Sequence, residues 1–462
     1  MARILLVSTN TTTEPYPVYP LGMSVVAAAL TATGHTVKQF DFLRAQSNLD
    51  LLKRAVREFS PDMTGISLRN IDNVDSLSSD MNWYLGHVRD VTRFLKEQGQ
   101  TVIVGGPGFS LMPEDILDFL GADHGVIGEG EKKMVEVISM LESGAESVPR
   151  LFSLEPGLRS EDMHTPLWDA DLVDFYMEQS GIINVQTKRG CGYHCSYCSY
   201  PTIEGSRIRP RDAQDVVDEI ELLHTRFHVE TIFFTDSVFN DSNDHYLEVA
   251  EELARRDIPV QWTGFFQPTT ISRDTVRLLK RSGLLAMEVG TDASTDTTLA
   301  AMNKPFTFDE VIRFNELCVS EQIPCAHFVI FGGPGETPET VLQGIDNLNS
   351  LEHCVVFPFS GIRLHRGTPL YSRAKREGMV TADTSLLKPI YYFSPHIDQN
   401  EMNDVLTQGF SSRRDRVFPP SDGQDRMNVA RRFGYRGLLW DTLISFPRAE
   451  QPAEKTRGTV WE

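Results

Sequence analysis

Along residues 1 to about 145, short apolar runs alternate with amphipathic stretches. RILLVST, VKQFDF, MTGISLR, TVIVGG and HGVIG read as strands; PLGMSVVAAALTATG, LDLLKRAVREF, VRDVTRFLKEQG, EDILDFL and KMVEVISMLESG read as helices. Strand and helix in regular turn predict an α/β domain with a doubly wound parallel sheet. Gly34, Gly99 and Gly144 mark helix ends, where a left-handed residue stops the helix. Residues 146–180 carry prolines and charges without a sustained period, so a linker is expected there. From Ile183 the alternation resumes. INVQTKRG, TIFFTD, VQWTGF, LAMEVGT, CAHFVIFG and VVFPFSGIRL are strand candidates, with helices expected near 212–227, 244–256, 273–282, 308–321 and 337–350. In the first of these helices Val216, Ile220, Leu223 and Phe227 share a face, and Asp212 and Asp215 stand at the positive end of the dipole. The simplest closure over 181–364 is a partial (β/α)6 barrel with its chemistry at the strand carboxyl ends. Residues 365–462 form a mixed C-terminal segment, for which capping the barrel mouth is one arrangement.

Composition narrows the partners. The 462 residues carry 44 Lys and Arg against 64 Asp and Glu, a net charge of −20 that opposes binding to nucleic acid or anionic lipid. The start, MARILLVSTN, lacks the features of a signal peptide, and no apolar run reaches the length of a membrane span. A cytoplasmic protein is expected. Of the six cysteines, Cys318, Cys325 and Cys354 sit in apolar surroundings and read as core thiols. The other three are Cys191, Cys195 and Cys198.

These three form Cys191-Gly-Tyr-His-Cys195-Ser-Tyr-Cys198, directly after the first barrel strand. Three thiolates on one loop suit three irons of a four-iron, four-sulfur cluster and leave the fourth iron open to a non-protein ligand. Zinc is the alternative, with His194 as a cramped fourth ligand. Structural zinc commonly takes two separated pairs, and there is no second C-x2-C. In the first domain the ligand-binding loops would be Asn10 to Tyr19, Ser67 to Asp75, Gly105 to Ser110 and Gly128 to Glu131. They contain neither G-x-G-x-x-G nor G-K-[ST], so nicotinamide and nucleoside triphosphate readings weaken.

The C-x3-C-x2-C spacing, with Tyr197 before the third cysteine, resembles the radical S-adenosylmethionine (SAM) superfamily over roughly 183–364. The resemblance implies a 4Fe-4S cluster on Cys191, Cys195 and Cys198 whose open iron chelates S-adenosylmethionine. Reductive cleavage would then yield a 5′-deoxyadenosyl radical, with a flavodoxin- or ferredoxin-type protein as electron donor. It further implies that Asp236 helps seat the methionine amino group and that Glu288 accepts hydrogen bonds from the ribose. Ile330, Gly332 and Gly333, in HFVIFGGPGE, would bring backbone to the adenine. The pairing with PLGMSVVAAAL, VGGPGFS and VIGEGE resembles the cobalamin-dependent class, whose N-terminal domain binds cobalamin. Contacts are then expected from Asn10, Thr11, Ser67, Asn70, Gly105, Gly106, Gly128 and Gly130, with bulk at Gly106 expelling the ligand. The first loop has no D-x-H-x-x-G, so the lower cobalt face would lack a protein imidazole.

What the resemblance implies about activity is methyl transfer to a carbon of a small-molecule or lipid substrate. Cyclisation, oxidation or carbon-carbon coupling are alternatives, and a non-catalytic iron-sulfur or cobalamin-binding protein is a third. The aromatic residues Tyr391, Tyr392, Phe393, Trp440 and Phe446 either line an apolar pocket or pack a core.

Overall fold

The computed structural model describes residues 1–77, 83–153, 157–269 and 271–447. The last residues, from Ala449, which the sequence suggests are mobile, lie outside that range. The first sheet is parallel throughout: β1 (Arg3–Ser8), β2 (Thr36–Asp41), β3 (Met63–Ser67), β4 (Thr101–Gly105), β5 (His124–Ile127) and β6 (Leu151–Ser153), in the order β2-β1-β3-β4-β5-β6. The order reverses at β1, so a crevice opens beyond the carboxyl ends of β1 and β3. Gly34, Gly99 and Gly144 all adopt positive φ at helix ends, as the sequence implied.

The second sheet contains β7 (Ile183–Val185), β8 (Thr231–Phe234), β9 (Gln261–Phe266), β10 (Leu284–Asp292), β11 (Cys325–Phe331) and β12 (Val355–Ser360). Its order, β12-β11-β10-β9-β8-β7, is that of consecutive parallel β/α units, an open barrel of six strands. The helices fall close to their expected positions: Ala213–Phe227, His245–Arg256, Arg273–Arg281, Phe308–Ser320 and Pro338–Ser350. Local chemistry explains their starts. Asp212 accepts from the Gln214 and Asp215 amides, and Thr307 with Glu310 closes a capping box. The sheet has two faces with separate cores. Trp262, Phe266, Met287 and Val289 join the main core under the helices, whereas Phe233, Ala286, Ala326, Val355 and Phe357 pack on the inner face.

The stretch expected to be a linker is structured. Leu151–Ser153 adds the sixth strand to the first sheet, and Ala170–Gln179 is a helix capped by Asp169. Tyr176 on that helix donates to Asp41 at 3.2 Å, so the helix is tied to the first sheet. A three-residue strand leaves no readable period, but pairing with β5 satisfies backbone groups that would otherwise be unpaired.

The C-terminal segment forms helices Pro369–Arg376, Gln399–Phe410 and Pro420–Arg432. Its tail does not lie over the carboxyl mouth. The Gly437 amide donates to Ser180, just before β7, and the His353 ring, just before β12, meets the Ser445 carbonyl. Leu438 and Trp440 join the inner-face core between them. The tail therefore plugs the base of the barrel, because an open six-strand sheet leaves apolar inner surface there that must be covered.

One buried ion pair joins the first domain to the end of the barrel. Arg363, after β12, meets Asp72 at 2.9 Å and donates to the Leu364 and Leu386 carbonyls at 2.9 and 2.7 Å. Asp72→Ala should leave that guanidinium uncompensated and cost about 3–5 kcal/mol. The check is a fall in thermal unfolding midpoint that is largely recovered in the double variant Asp72→Leu, Arg363→Met.

Candidate active site

Beyond β7 the chain runs into Lys188–Arg189, which pairs antiparallel with Arg209–Pro210 and closes the loop that bears the three cysteines. Gly190 makes the closure possible: it has φ +88°, and a Cβ there would lie 2.1 Å from the Arg207 carbonyl oxygen. The Cys191 amide donates to Gly205 at 3.2 Å, and the Ser196 amide donates to Met302 at 2.9 Å, fastening the loop to the barrel. All three thiols are free and half-buried. Lys304 reaches Cys195 Sγ at 3.5 Å and is ion-paired to Asp292 at the carboxyl end of β10. Burial pushes the thiols up, Cys198 to about 12, while the Lys304 ammonium draws Cys191 and Cys195 the other way. Burial also works against the charge on Lys304, and the Asp292 carboxylate overrides it. His194 is exposed, and no three His, Cys, Asp or Glu among the described residues converge on a single-ion site. The three thiols are thus an open set, as a multi-iron cluster requires, and not a closed zinc site. Cys318, Cys325 and Cys354 are buried core thiols.

The three strand-end expectations fare differently. Asp236 is fully buried and saturated by the protein: it accepts from the Thr187 amide at 2.8 Å, the Thr187 hydroxyl at 2.5 Å and the Lys188 amide at 3.3 Å, with Lys188 Nζ 3.2 Å away. It holds the chain entering the cysteine loop and offers no free oxygen to a ligand. Glu288 lies in the middle of β10, on the inner face, where Trp440 Nε1 donates to it at 3.2 Å. The strand runs four residues past Glu288, and the acidic side chain beside the cysteines is Asp292. Ile330 is half-buried near the mouth. A Cβ on Gly332 would meet the Phe393 ring at 2.9 Å, and one on Gly333 would meet Ile362 at 3.2 Å. Both glycines are accounted for by packing of the C-terminal segment and Ile362.

The first-domain loops converge as expected. A cavity of about 520 Å³ is lined by Asn10, Ser67, Asn70, Gly105, Gly106, Gly128 and Gly130 from one side, and by Asn184, Gln186, Tyr200 and Glu204 from the barrel. Thr11 does not line it, and no histidine does. Gly106 has φ +102°, and a Cβ there would lie 2.6 Å from the Leu68 carbonyl oxygen. Its role is therefore to let the loops after β3 and β4 meet, and bulk would displace the Ser67 to Asn70 loop before it touched a ligand.

The two sides of the cavity are clamped by charge. Arg189 donates to Glu129 at 3.2 Å and Glu131 at 2.6 Å, and Arg209 donates to Glu129 at 2.7 Å, all with little exposure. Against the cost of burial, the Arg189 guanidinium holds the Glu131 carboxyl below its ordinary value. Arg69, also on the lining, has a buried Nη1 without a partner. Neither this clamp nor Arg69 was anticipated, since single arginines in QTKRG, RIRPR and SLRN carry no pattern.

Comparison with known families decides what this arrangement is. The radical SAM superfamily matches residues 185–347, and the B12 binding domain matches residues 7–138. The chain belongs to the cobalamin-dependent radical SAM enzymes. Within that methyltransferase-like group it is similar to tryptophan 2-C-methyltransferase of Streptomyces laurentii, 25% identical over 75% of this chain and 70% of the relative. It is also similar to cytidylyl-2-hydroxyethylphosphonate methyltransferase of Streptomyces wedmorensis, 23% identical over 88% of both chains. Among solved structures, the radical SAM methyltransferase TsrM of Kitasatospora setae, with cobalamin and a [4Fe-4S] cluster bound, shares the fold. It has a TM-score of 0.77 at 23% identity over 94% of this chain and 99% of that one. The same enzyme with tryptophan and a SAM analogue gives a TM-score of 0.75 at 25% identity, over 81% and 76%.

In this radical SAM enzyme Glu288 has a thermodynamic signature of its own. Burial raises its carboxyl to about 7 from an ordinary 4.5, with the Trp440 bond pulling slightly the other way. The folded chain holds the proton more tightly than the unfolded chain. The stabilising contribution is therefore complete below about pH 4.5 and lost as pH rises through about 7. Glu288→Gln removes the titration, so its thermal midpoint should gain on the parent by several degrees between about pH 5 and about pH 8. Parallel melting curves across that range would contradict the burial.

Proposed function

We propose that this enzyme transfers a methyl group to a carbon atom of a small-molecule substrate, using a [4Fe-4S] cluster, S-adenosylmethionine and cobalamin. The observation that carries the reading is the convergence of two active edges: the carboxyl ends of the first sheet and the cysteine loop of the second border one cavity, clamped by Arg189, Glu129, Glu131 and Arg209. The donor sets fit the groups. Three free thiols on one loop suit a cluster with one open iron. A largely apolar cavity with an unpaired buried Arg69 nitrogen would suit a large planar ligand carrying amide oxygens.

When bound, these groups supply a 5′-deoxyadenosyl radical and a transferable methyl. The protein's own residues position them. Cys191, Cys195 and Cys198 hold the cluster; Lys304, anchored by Asp292, places a positive charge beside Cys195. Asp292, joined to Cys195 through Lys304, would accept from SAM hydroxyls in place of Glu288, while Asp236 is a positioning residue for the loop through Thr187 and Lys188. Ser67, Asn70, Gly105, Gly128 and Gly130, which line the cavity, would border the corrinoid. A flavodoxin- or ferredoxin-type donor in the cytoplasm would supply the electron. No helix among the described residues is long and apolar enough to cross a membrane.

Anaerobically reconstituted protein should hold about four irons and four sulfides, and alanine at any one of the three loop cysteines should abolish SAM cleavage. Asp292→Asn should keep the iron yet weaken SAM binding by about tenfold or more, the loss of a charge-assisted hydrogen bond. Methyl transfer predicts S-adenosylhomocysteine as a product. SAM cleavage to 5′-deoxyadenosine with none formed would replace it by cyclisation, oxidation or coupling, and cleavage by a protein lacking all three loop cysteines would overturn the reading.

A further inference from the structure

The turn that follows the short helix Asp296–Ala301 meets the cysteine loop with three consecutive residues. The Met302 carbonyl accepts from the Ser196 amide at 2.9 Å, Asn303 Nδ2 donates to the His194 carbonyl at 2.6 Å, and Lys304 Nζ donates to Cys195 Sγ at 3.5 Å. Local chemistry fixes the turn. Thr295 and Thr298 close a capping box at the start of the helix, Asn303 takes the left-handed conformation at φ +58°, which asparagine tolerates, and the Lys304 amide returns to the Leu299 carbonyl at 3.0 Å. The lysine side chain is 5% exposed, ion-paired to Asp292 at the end of β10 and set over the Phe306 ring at 5.3 Å. Burying a lysine costs desolvation and rotamer freedom, and a packing role alone would be met better by an apolar side chain of similar length.

The electrostatic surroundings otherwise work against adding an electron at this loop. The chain carries a net charge of −20, and two carboxylates bear on the thiols, Glu204 on Cys191 and Asp292 on Cys195. Lys304 is the cation that opposes them. A one-electron reduction moves an electron from the donor onto the cluster and adds one negative charge shared over iron, sulfide and thiolate sulfur, with no bond made or broken. A fixed cation in N–H···S contact stabilises that state over the oxidised one, and the potentials of such clusters follow net charge and hydrogen bonds to sulfur. The other deeply buried lysine at the root of the loop, Lys188, is not available for this, since its Nζ is taken up by Asp236, Asp241 and the Phe239 carbonyl.

We propose that Lys304 sets the reduction potential of the cluster: its ammonium, held by Asp292, donates to Cys195 Sγ and favours the one-electron-reduced state. It acts through the Cys195 sulfur as a positioning residue, a fixed charge and not a reacting group. The inference rests on the function proposed above, in which the three loop cysteines hold a 4Fe-4S cluster, and adds the residue that makes that cluster reducible by a flavodoxin- or ferredoxin-type donor.

The test is a dye-mediated redox titration with dithionite on holoenzyme carrying cluster and cobalamin, without SAM, followed by the low-temperature spin resonance of the reduced cluster. Lys304→Met and Lys304→Gln should each shift the reduction equilibrium toward the oxidised state by at least about tenfold, a fall of about 59 mV for a one-electron couple. Lys304→Arg, which keeps the charge, should hold the parent potential. The double variant Lys304→Met, Asp292→Asn should stay below the parent, because the ammonium and its sulfur contact are still missing; return to the parent value would assign the shift to an orphaned Asp292 and overturn the inference. Lys304 is not among the residues that line the cobalamin cavity, so the cobalamin couple in the same titration should not move. Iron content identifies the variants that keep the cluster, and a neutral variant that keeps it decides. An unchanged potential in such a variant, an equal shift of both couples, or loss of iron from both neutral variants overturns the inference. Absence of the cluster from the parent protein defeats the function proposed above, whereas a cluster whose potential ignores Lys304 defeats this inference alone.

Discussion

The buried charge cluster of Arg189, Glu129, Glu131 and Arg209 is the constraint on which the rest of the site depends. Each sheet could fold around its own core with its carboxyl edge turned anywhere. Paired charges with little exposure allow only one arrangement, because any rotation that parts them leaves an uncompensated ion in a low-dielectric interior. Such a cluster adds little net stability. What it contributes is register, and Arg189 stands two residues before Cys191, so the residue that docks the first domain also sets the root of the cysteine loop.

The same economy recurs along that root. Asp236 gathers the Thr187 and Lys188 backbone, Gly190 turns the chain where a side chain could not fit, and Met302 and Asn303 hold the loop from the far side. Each group acts on backbone, which is how the loop closed by Lys188–Arg189 and Arg209–Pro210 can keep three thiols at a fixed spacing. Lys304 is then delivered by the turn after Asp296–Ala301, so one short helix supplies both a mechanical tie and a charge.

The C-terminal segment does for the barrel what further strands would do in a closed one. Arg416 bridges to Val356 beside β12, and the tail carries Leu438 and Trp440 up between the first and last strands. The space left above Trp440 is bounded by the tail below and the first domain opposite. Its shape is therefore a property of three segments distant in sequence, and burial where they meet is what raises the Glu288 carboxyl, against the pull of the Trp440 hydrogen bond.

How much of this was legible beforehand follows from the range of the forces involved. Alternating apolar runs, helix caps and left-handed glycines act within a few residues, and they were sufficient for both parallel sheets, all five helices that separate the second sheet's strands, and the placing of Cys191, Cys195 and Cys198 on one loop. The four first-domain loops were likewise readable, since a doubly wound sheet puts its ligands beyond the strand ends. Where the sequence misled, a long-range contact had intervened. The bulge in β10 carried the strand past Glu288 to Asp292, the Leu68 carbonyl gave Gly106 its purpose, and the pairing of Leu151–Ser153 with β5 turned an apparent linker into a strand. The identity of the elements and the chemistry of the cysteines were written in local order. Which carboxylate stands beside the cysteine loop, which takes a bond from Trp440 and which is spent on a clamp were decided only when distant segments met, because burial and pairing, not residue type, set what a carboxylate can do.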